Sequence, residues 1–126
     1  TQETELLGRV AGDHPIDALE PVASVDDVLQ ARRTVSRVTV REPVRSYVSR
    51  LARYTREHAQ LGVSPRGGIA LVRASQARAV FEGRDYVVPD DVQTEVQSVW
   101  AHRIRTDGDD TGSAVVSRAL DSVAVE

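Results

Sequence analysis

The sequence predicts an all-α fold with about five or six helices and at most one very short two-stranded β pairing. Apolar residues recur at helical spacing, most clearly at positions 92, 96, 99, 100 and 104. Prolines at positions 43, 65 and 89 mark three helix starts, and a capping residue, Ser64, precedes the second of them. The two stretches that alternate like strands, 37–40 and 86–88, are each only three or four residues long, and they are close enough in pattern to pair with each other.

The N-terminal part of the chain predicts two short helices joined by an extended loop. Residues 1–11 fit a helix without a convincing N-cap, and Asp13 begins the segment that breaks it. Two prolines favour an extended conformation for residues 16–22. Ser24 and Asp27 resemble a capping box that starts a helix running to about position 37. We expect four apolar side chains of that helix to be buried: Val25, Val28, Leu29 and Val35.

Four further helices are predicted after position 41. Residues 42–60 carry an apolar face, and residues 64–83 are apolar around most of the helix, so the latter is expected to be central and buried on several sides. Residues 89–104 carry the clearest amphipathic stripe, in which Trp100 is expected to anchor the packing. The polar segment 106–112 is predicted to be a mobile linker before a last helix over 113–123.

Composition limits the function classes. With 126 residues and 40% hydrophobic residues, the chain is expected to form one domain, 1–126, with a core of its own. All sixteen basic residues are arginine, and a chain without lysine cannot contain a Walker A loop. There is no cysteine and no apolar run that predicts a membrane span, so we expect a cytoplasmic protein without membrane contact.

Candidate catalytic and metal-binding patterns are absent from the sequence. His14, His58 and His102 lack the spacing of metal ligands, and no serine lies in a nucleophile motif. The acidic run 107–110 lacks the terminal glutamate of a calcium-binding loop. Catalysis by this chain alone therefore has little support.

The strongest candidate site is the stretch 62–68, Gly-Val-Ser-Pro-Arg-Gly-Gly. Ser64 is a typical N-cap and Pro65 a typical first helical residue, which places Arg66 in the first turn. A cationic side chain beside unpaired backbone N–H groups suits an anion such as phosphate. The alternative is a well-capped helix whose arginine points into water. The two glycines that follow cost about 1 kcal/mol each relative to alanine, so we expect another backbone or a ligand to approach them closely.

A second charged feature lies between positions 32 and 56, where eight arginines accompany a single acid, Glu42. Such a cluster is compatible with nucleic-acid binding. The arginines are spread over two predicted helices and a strand, without stacking aromatic residues. A solvated surface or an acidic protein neighbour is the better interpretation.

Three separated motifs, in order and spacing, resemble landmarks of MoxR-type AAA+ ATPases. They are His-Pro-Ile-Asp-Ala-Leu-Glu-Pro-Val at 14–22, Gly-Val-Ser-Pro-Arg at 62–66 and Gly-Arg-Asp-Tyr-Val-Val-Pro-Asp-Asp-Val at 83–92. Ala-His-Arg-Ile at 101–104 resembles the family's next segment. The resemblance extends over nearly the whole chain, and it is to the C-terminal helical lid alone. It implies a lid-type bundle, with the nucleotide-binding subdomain preceding Thr1.

The resemblance also implies a function. Arg66 corresponds to the sensor-2 arginine, which contacts the phosphate of ATP held with Mg²⁺ by the large subdomain, and Ser64, Pro65 and Gly67 belong to the same nucleotide-contacting turn. The lid would close over ATP and couple its hydrolysis to lid movement in a chaperone-like ring. The implied partners are the chain's own large subdomain, neighbouring protomers of a hexamer, and von Willebrand A-type proteins.

Two alternatives remain open at this point. One is an arginine-rich helical module that binds nucleic acid through residues 32–56, although nucleic acid is the less favoured partner. The other is a scaffold for partner proteins. The fragment itself is expected neither to hydrolyse ATP nor to bind it tightly.

Overall fold

The structure, a computed structural model, describes residues 1–12 and 14–126. Asp13, where we expect the first helix to be broken, lies outside the described residues. The described part contains six α-helices and two short 3-10 segments, Pro15–Ala18 and Ala101–Arg103, which confirms the all-α prediction. The helices are α1 Gln2–Val10, α2 Val25–Ser36, α3 Glu42–His58, α4 Pro65–Phe81, α5 Pro89–Trp100 and α6 Gly112–Ser122.

The predicted β pairing exists as a single parallel bridge between Thr39 and Tyr86. The Thr39 N–H donates to the carbonyl of Asp85, and the Val87 N–H donates to the carbonyl of Thr39, both at 2.9 Å. A second, antiparallel bridge joins Leu61 to Arg105. The sequence did not predict this second bridge, which ties the segment before α4 to the segment after α5.

Residues 1–30 and 31–126 form two separate compact units. In the first unit, the Thr1 hydroxyl accepts a hydrogen bond from the Thr4 N–H at 3.3 Å, so the expectation that α1 lacks an N-cap is wrong. The capping box is confirmed, because Ser24 and Asp27 exchange bonds of 2.9 and 3.1 Å. The loop expected to be extended contains a 3-10 turn instead of continuous extended backbone.

The predicted burial of α2 is wrong. Val25, Val28 and Leu29 are 76%, 54% and 41% exposed, and Val35 is only half-buried. Helical periodicity identifies a face that requires a partner, but it does not say that the same chain provides one. The apolar residues of α1 and of the 15–18 turn are exposed as well.

The second unit has an aliphatic core around one aromatic anchor. Trp100 is fully buried at the end of α5, which confirms its predicted role. The predicted α5 stripe is buried except for half-buried Val99, and the predicted face of α3 is buried except for half-buried Tyr54. The largest core side chains besides Trp100 are Tyr47, Leu51, Leu71, Val63, Val92, Val96, Val115 and Val116.

Helix α4 is less buried than its composition predicts. Its buried residues are Gly67, Leu71, Ser75 and Ala79, which recur at every fourth position and form one narrow stripe. Outside the stripe, Ile69 is 54% exposed. The helix therefore packs through one side. The sequence did not reveal this, because alanines make the helix apolar around most of its circumference. None of the helices in the described part of the chain has the length and apolar character of a membrane span.

Segment 106–112, the predicted mobile linker, makes several hydrogen bonds. The Thr106 hydroxyl donates to the carbonyl of Asp110 at 2.7 Å. The Asp110 carboxylate accepts two bonds from the guanidinium of Arg118, at 2.8 and 3.1 Å. The mobility of the segment stays a prediction.

A buried ion pair fixes the turn between α4 and α5. The Arg84 guanidinium donates two hydrogen bonds of 2.7 Å to the Asp91 carboxylate, which also accepts the Val88 N–H at 2.9 Å. Asp91 is 2% exposed. Burial raises the pKa of this carboxyl, but the bonds from Arg84 and Val88 outweigh it and hold the pKa below its ordinary value.

Asp91→Asn should lower the free energy of unfolding by about 3 kcal/mol at neutral pH, because it leaves a largely buried arginine unpaired. Because the folded pKa of Asp91 is depressed, the stabilisation is complete above the carboxyl's ordinary pKa of about 3.9 and is lost as the pH falls through the folded pKa. The difference between wild type and variant should therefore shrink in acid. Urea unfolding monitored by circular dichroism measures both effects.

Asp90→Asn is the matched control, since Asp90 is exposed and sits one position earlier in the same turn. It should cost no more than about 0.5 kcal/mol, through the helix dipole. Equal losses in the two variants would contradict the assigned role of the Arg84–Asp91 pair.

Candidate anion site at the start of α4

The start of α4 has the predicted cap. Ser64 is the N-cap, in an extended conformation, and its hydroxyl accepts the Gly67 N–H at 3.3 Å. Pro65 occupies the first helical position. The Gly68 N–H donates to the Ser64 carbonyl at 3.1 Å, which is the first helical bond. Both halves of the predicted helix start, the cap and the proline, are therefore confirmed.

Arg66 lies exposed in the first turn of α4. Within the described part of the chain, no hydrogen bond or ion pair engages its guanidinium, and no acid lies in the first turn. The positive end of the helix dipole and a full positive charge therefore lie side by side without a neutralising carboxylate. This arrangement suits a bound anion.

Helix α3 holds the residue that precedes the cap. The Val63 N–H donates to the Thr55 hydroxyl at 3.0 Å, and the Arg56 Nε donates to the Val63 carbonyl at 2.7 Å. Val63 and Thr55 are both buried. A Cβ at Gly62 would collide with the backbone of Thr55 and Arg56, so only glycine permits this approach. The chain thus enters α4 with both polar backbone groups of Val63 bound to α3.

Helix α5 holds the first turn from another side. The indole N–H of Trp100 donates to the carbonyl of Gly67 at 2.8 Å. A Cβ at Gly67 would lie 2.5 Å from the Val63 side chain, closer than packed atoms tolerate. A close approach is therefore found at Gly67, but it is made by side chains and not by the backbone or ligand that we expected. The expectation is wrong for Gly68, where a Cβ would meet nothing within 4 Å.

Thr55 and Arg56 are site residues that the sequence did not reveal. Thr55 continues the apolar face of α3 one turn after Leu51, and a lone threonine on a buried face is a weak signal of a partner that needs a hydroxyl. Nothing distinguishes Arg56 from the neighbouring arginines in the sequence. Only the fold brings these two residues next to Val63.

Three residues of the arginine-rich region make contacts within the chain. Arg45 pairs with Glu42 at 2.8 Å. Arg50 donates to the carbonyls of Ala124 and Val125. With Arg56 bound to the turn before α4, three of the eight arginines serve internal contacts, which weakens the nucleic-acid alternative.

Metal-binding geometry is not found among the described residues, where no group of three or more histidine and carboxylate side chains could hold an ion. The capped, cationic start of α4 suits an anion better than a cation.

The family described as AAA lid domain matches residues 51–119, more than half of the chain. The chain is an AAA lid domain. The match includes the α3–α5 residues that hold the start of α4, from Thr55 to Trp100.

Relatives and a solved structure extend this result beyond the matched region. The uncharacterized protein YeaC of Bacillus subtilis is 40% identical over 105 residues, which are 82% of this chain and 33% of that protein. Chaperone MoxR1 of Mycobacterium tuberculosis is 27% identical over 98% of this chain and 37% of its own length. A crystal structure of a provisionally assigned ATPase from Cytophaga hutchinsonii superposes with a TM-score of 0.80 and 26% identity, covering 97% of this lid and 42% of that chain.

These similarities place the lid domain in the MoxR family of AAA+ ATPases, as its C-terminal lid. The chain spans about a third of the length of the curated relatives just described. Nucleotide and Mg²⁺ use belongs to the full-length proteins of this family.

Alanine substitutions at the two adjacent glycines should have opposite effects on stability. Gly67→Ala should lower the free energy of unfolding by about 1–3 kcal/mol, because the added methyl overpacks against Val63. Gly68→Ala has open space and should raise it by up to about 1 kcal/mol through helix propensity. Urea unfolding of the wild type and the two variants measures these differences. Stabilisation by both substitutions would contradict the close packing at Gly67.

Proposed function

We propose that this lid closes over ATP held by the large subdomain of its parent ATPase, and that Arg66 acts as the sensor-2 residue contacting the nucleotide phosphate. The observation that supports the proposal is the exposed, unpaired guanidinium of Arg66 on a helix start that contains no acid. An arginine that is free in the isolated lid has its full hydrogen-bonding capacity left for a phosphate.

Arg66 would serve by charge stabilisation. ATP with its Mg²⁺ supplies the transferable phosphoryl group, and negative charge on that group is stabilised by a positioned guanidinium. Ser64, Pro65 and Gly67 set the conformation of the turn, and the turn's backbone N–H groups add to the anion-binding field. The lid offers no cluster of metal ligands within its described residues, so binding of Mg²⁺ is assigned to the large subdomain.

The hydrogen bonds of Val63 and Gly67 connect the start of α4 to the rest of the lid. Since α3 and α5 both hold the start of α4, the backbone that carries Arg66 cannot shift far without moving the neighbouring helices. Loss of the phosphate on hydrolysis would therefore release the lid as a body. In a hexameric, cytoplasmic ring of protomers, such movement would be passed to neighbouring protomers and to von Willebrand A-type partner proteins.

In the full-length protein, Arg66→Ala should lower the rate of ATP turnover by about 10²–10³, the usual cost of removing one charge-stabilising donor. The KM for ATP should change less than kcat, because the contact is made mainly to the reacting phosphoryl group. Steady-state ATPase assays measure both quantities.

Arg53→Ala is the matched control, since Arg53 is also an exposed arginine but lies on α3, away from the start of α4. Its turnover should match that of the wild type. If Arg66→Ala retained wild-type turnover, or if both variants lost it equally, the sensor-2 assignment would be wrong.

A further inference from the structure

A groove of about 440 Å³ runs between α3 and α4. Among the described residues, its lining combines apolar side chains with three arginines, Arg45, Arg56 and Arg73, and contains no carboxylate. The apolar part is formed by Val48, Ala52, Ile69 and Val72. A surface that is apolar between guanidinium groups favours a polypeptide segment with aliphatic side chains next to carboxylates.

The groove is open to a partner. Ile69 is half exposed at its wall. Arg73 is exposed, and its guanidinium makes no hydrogen bond or ion pair with any residue that the structure describes. Arg56 uses only its Nε for the turn before α4, which leaves its terminal nitrogens available. Two of the three charges are thus free to bind a carboxylate.

The same chain carries a segment of the matching chemistry. Residues 15–30 contain four acids and no basic residue, and none of them is buried. Asp27 is engaged in the capping box with Ser24, which leaves Asp17, Glu20 and Asp26. Six large aliphatic side chains of this acidic segment are exposed: Ile16, Leu19, Val22, Val25, Val28 and Leu29.

We propose that the α3–α4 groove of one copy binds the acidic segment, residues 15–30, of a second copy of this chain. The acidic segment is apolar and exposed, and the groove presents exposed Ile69 and half-buried Val72 between its guanidinium groups. The two surfaces are of opposite charge, so their association buries aliphatic area while carboxylates meet guanidinium groups. The two surfaces differ, and the contact is therefore heterologous. A heterologous contact repeated around a rotation axis closes into a ring.

A single contact of this kind is expected to be weak and salt-dependent, since its charged groups lie at an exposed rim. Copies already held side by side by other domains would strengthen it through effective concentration. The proposal concerns contact between lids and does not depend on the role assigned to Arg66 in ATP turnover.

Cross-linking between two differently tagged copies tests the proposal. Because the chain has no cysteine, Ile69→Cys in one copy and Val25→Cys in the other provide one thiol each, at exposed positions. A short bis-maleimide should join the two chains, as seen by their combined size on a denaturing gel. Arg53→Cys in place of Ile69→Cys is the matched control, because Arg53 is exposed on α3 but does not line the groove. Its yield should be about tenfold lower.

Charge reversal identifies the pairing. Arg73→Glu in the groove-bearing copy should reduce the cross-link about tenfold, the effect of losing one charged hydrogen-bonding partner. Asp26→Arg in the other copy should restore a substantial part of the yield. High salt should weaken the wild-type cross-link. Circular dichroism of each variant confirms folding, and Ser49→Cys, at another exposed position that lines the groove, replaces Ile69→Cys if the latter does not fold.

Equal cross-linking at position 53 and in the groove would overturn the proposal, and so would a yield that is indifferent to Arg73→Glu. No cross-link above the control at any concentration would do the same. None of these measurements involves nucleotide, so their failure leaves the ATPase test of Arg66 unaffected, and the reverse also holds.

Discussion

The hydrogen bond from the indole of Trp100 to the carbonyl of Gly67 joins the centre of the core to the first turn of α4. Trp100 is fully buried, so its N–H must find an acceptor inside the protein, and Gly67 provides one. Position 67 also packs against Val63, whose side chain would lie 2.5 Å from a Cβ at that position. The indole bond and the Val63 contact thus act together on the first turn of α4, and it is the Val63 contact that favours glycine at position 67.

The opposite face of the same turn shows a second constraint. The backbone of Val63 is bonded at both its N–H and its carbonyl by α3, through Thr55 and Arg56. A segment connecting two helices normally leaves such groups to water, whereas here they are paired with side chains. The backbone of the segment that precedes Arg66 is consequently held by side chains of α3. The Arg66 side chain itself is exposed and has no partner among the described residues, so it keeps rotamer freedom that binding would remove.

Two arginines of the lid, Arg84 and Arg66, have opposite environments. Arg84 is largely buried and paired with two oxygens of Asp91, and it contributes to structure. Arg66 lies in the open and is unpaired within the described residues. Composition alone cannot separate these cases, since both arginines follow a glycine or a proline in short turn motifs. Their difference depends on which residue lies opposite in the folded chain.

Local rules predicted the features that depend on a few neighbouring residues. Ser64 caps α4 because its hydroxyl reaches an N–H three residues ahead, and the α5 stripe is buried because its spacing matches one helix face. The features that sequence missed depend on how the elements pack against one another. Val25 and Val28 have an apolar pattern but no cover, and Gly68 looks equivalent to Gly67 although only one of them faces Val63. The role of Thr55 likewise follows from a contact eight residues away.

The length of α4 gives the lid the properties of a lever. Its 17 residues rise about 1.5 Å each and span about 25 Å. The first turn of α4 is held by hydrogen bonds from α3 and α5. A tilt of the helix by about 10° about that end would move its other end by about 4 Å, from the same helix geometry. Phe81, at the far end, is 86% exposed, and its ring would travel farther than any side chain near the pivot. A small tilt at the first turn of α4 would thus move the far end of the helix by a distance comparable to the length of a side chain.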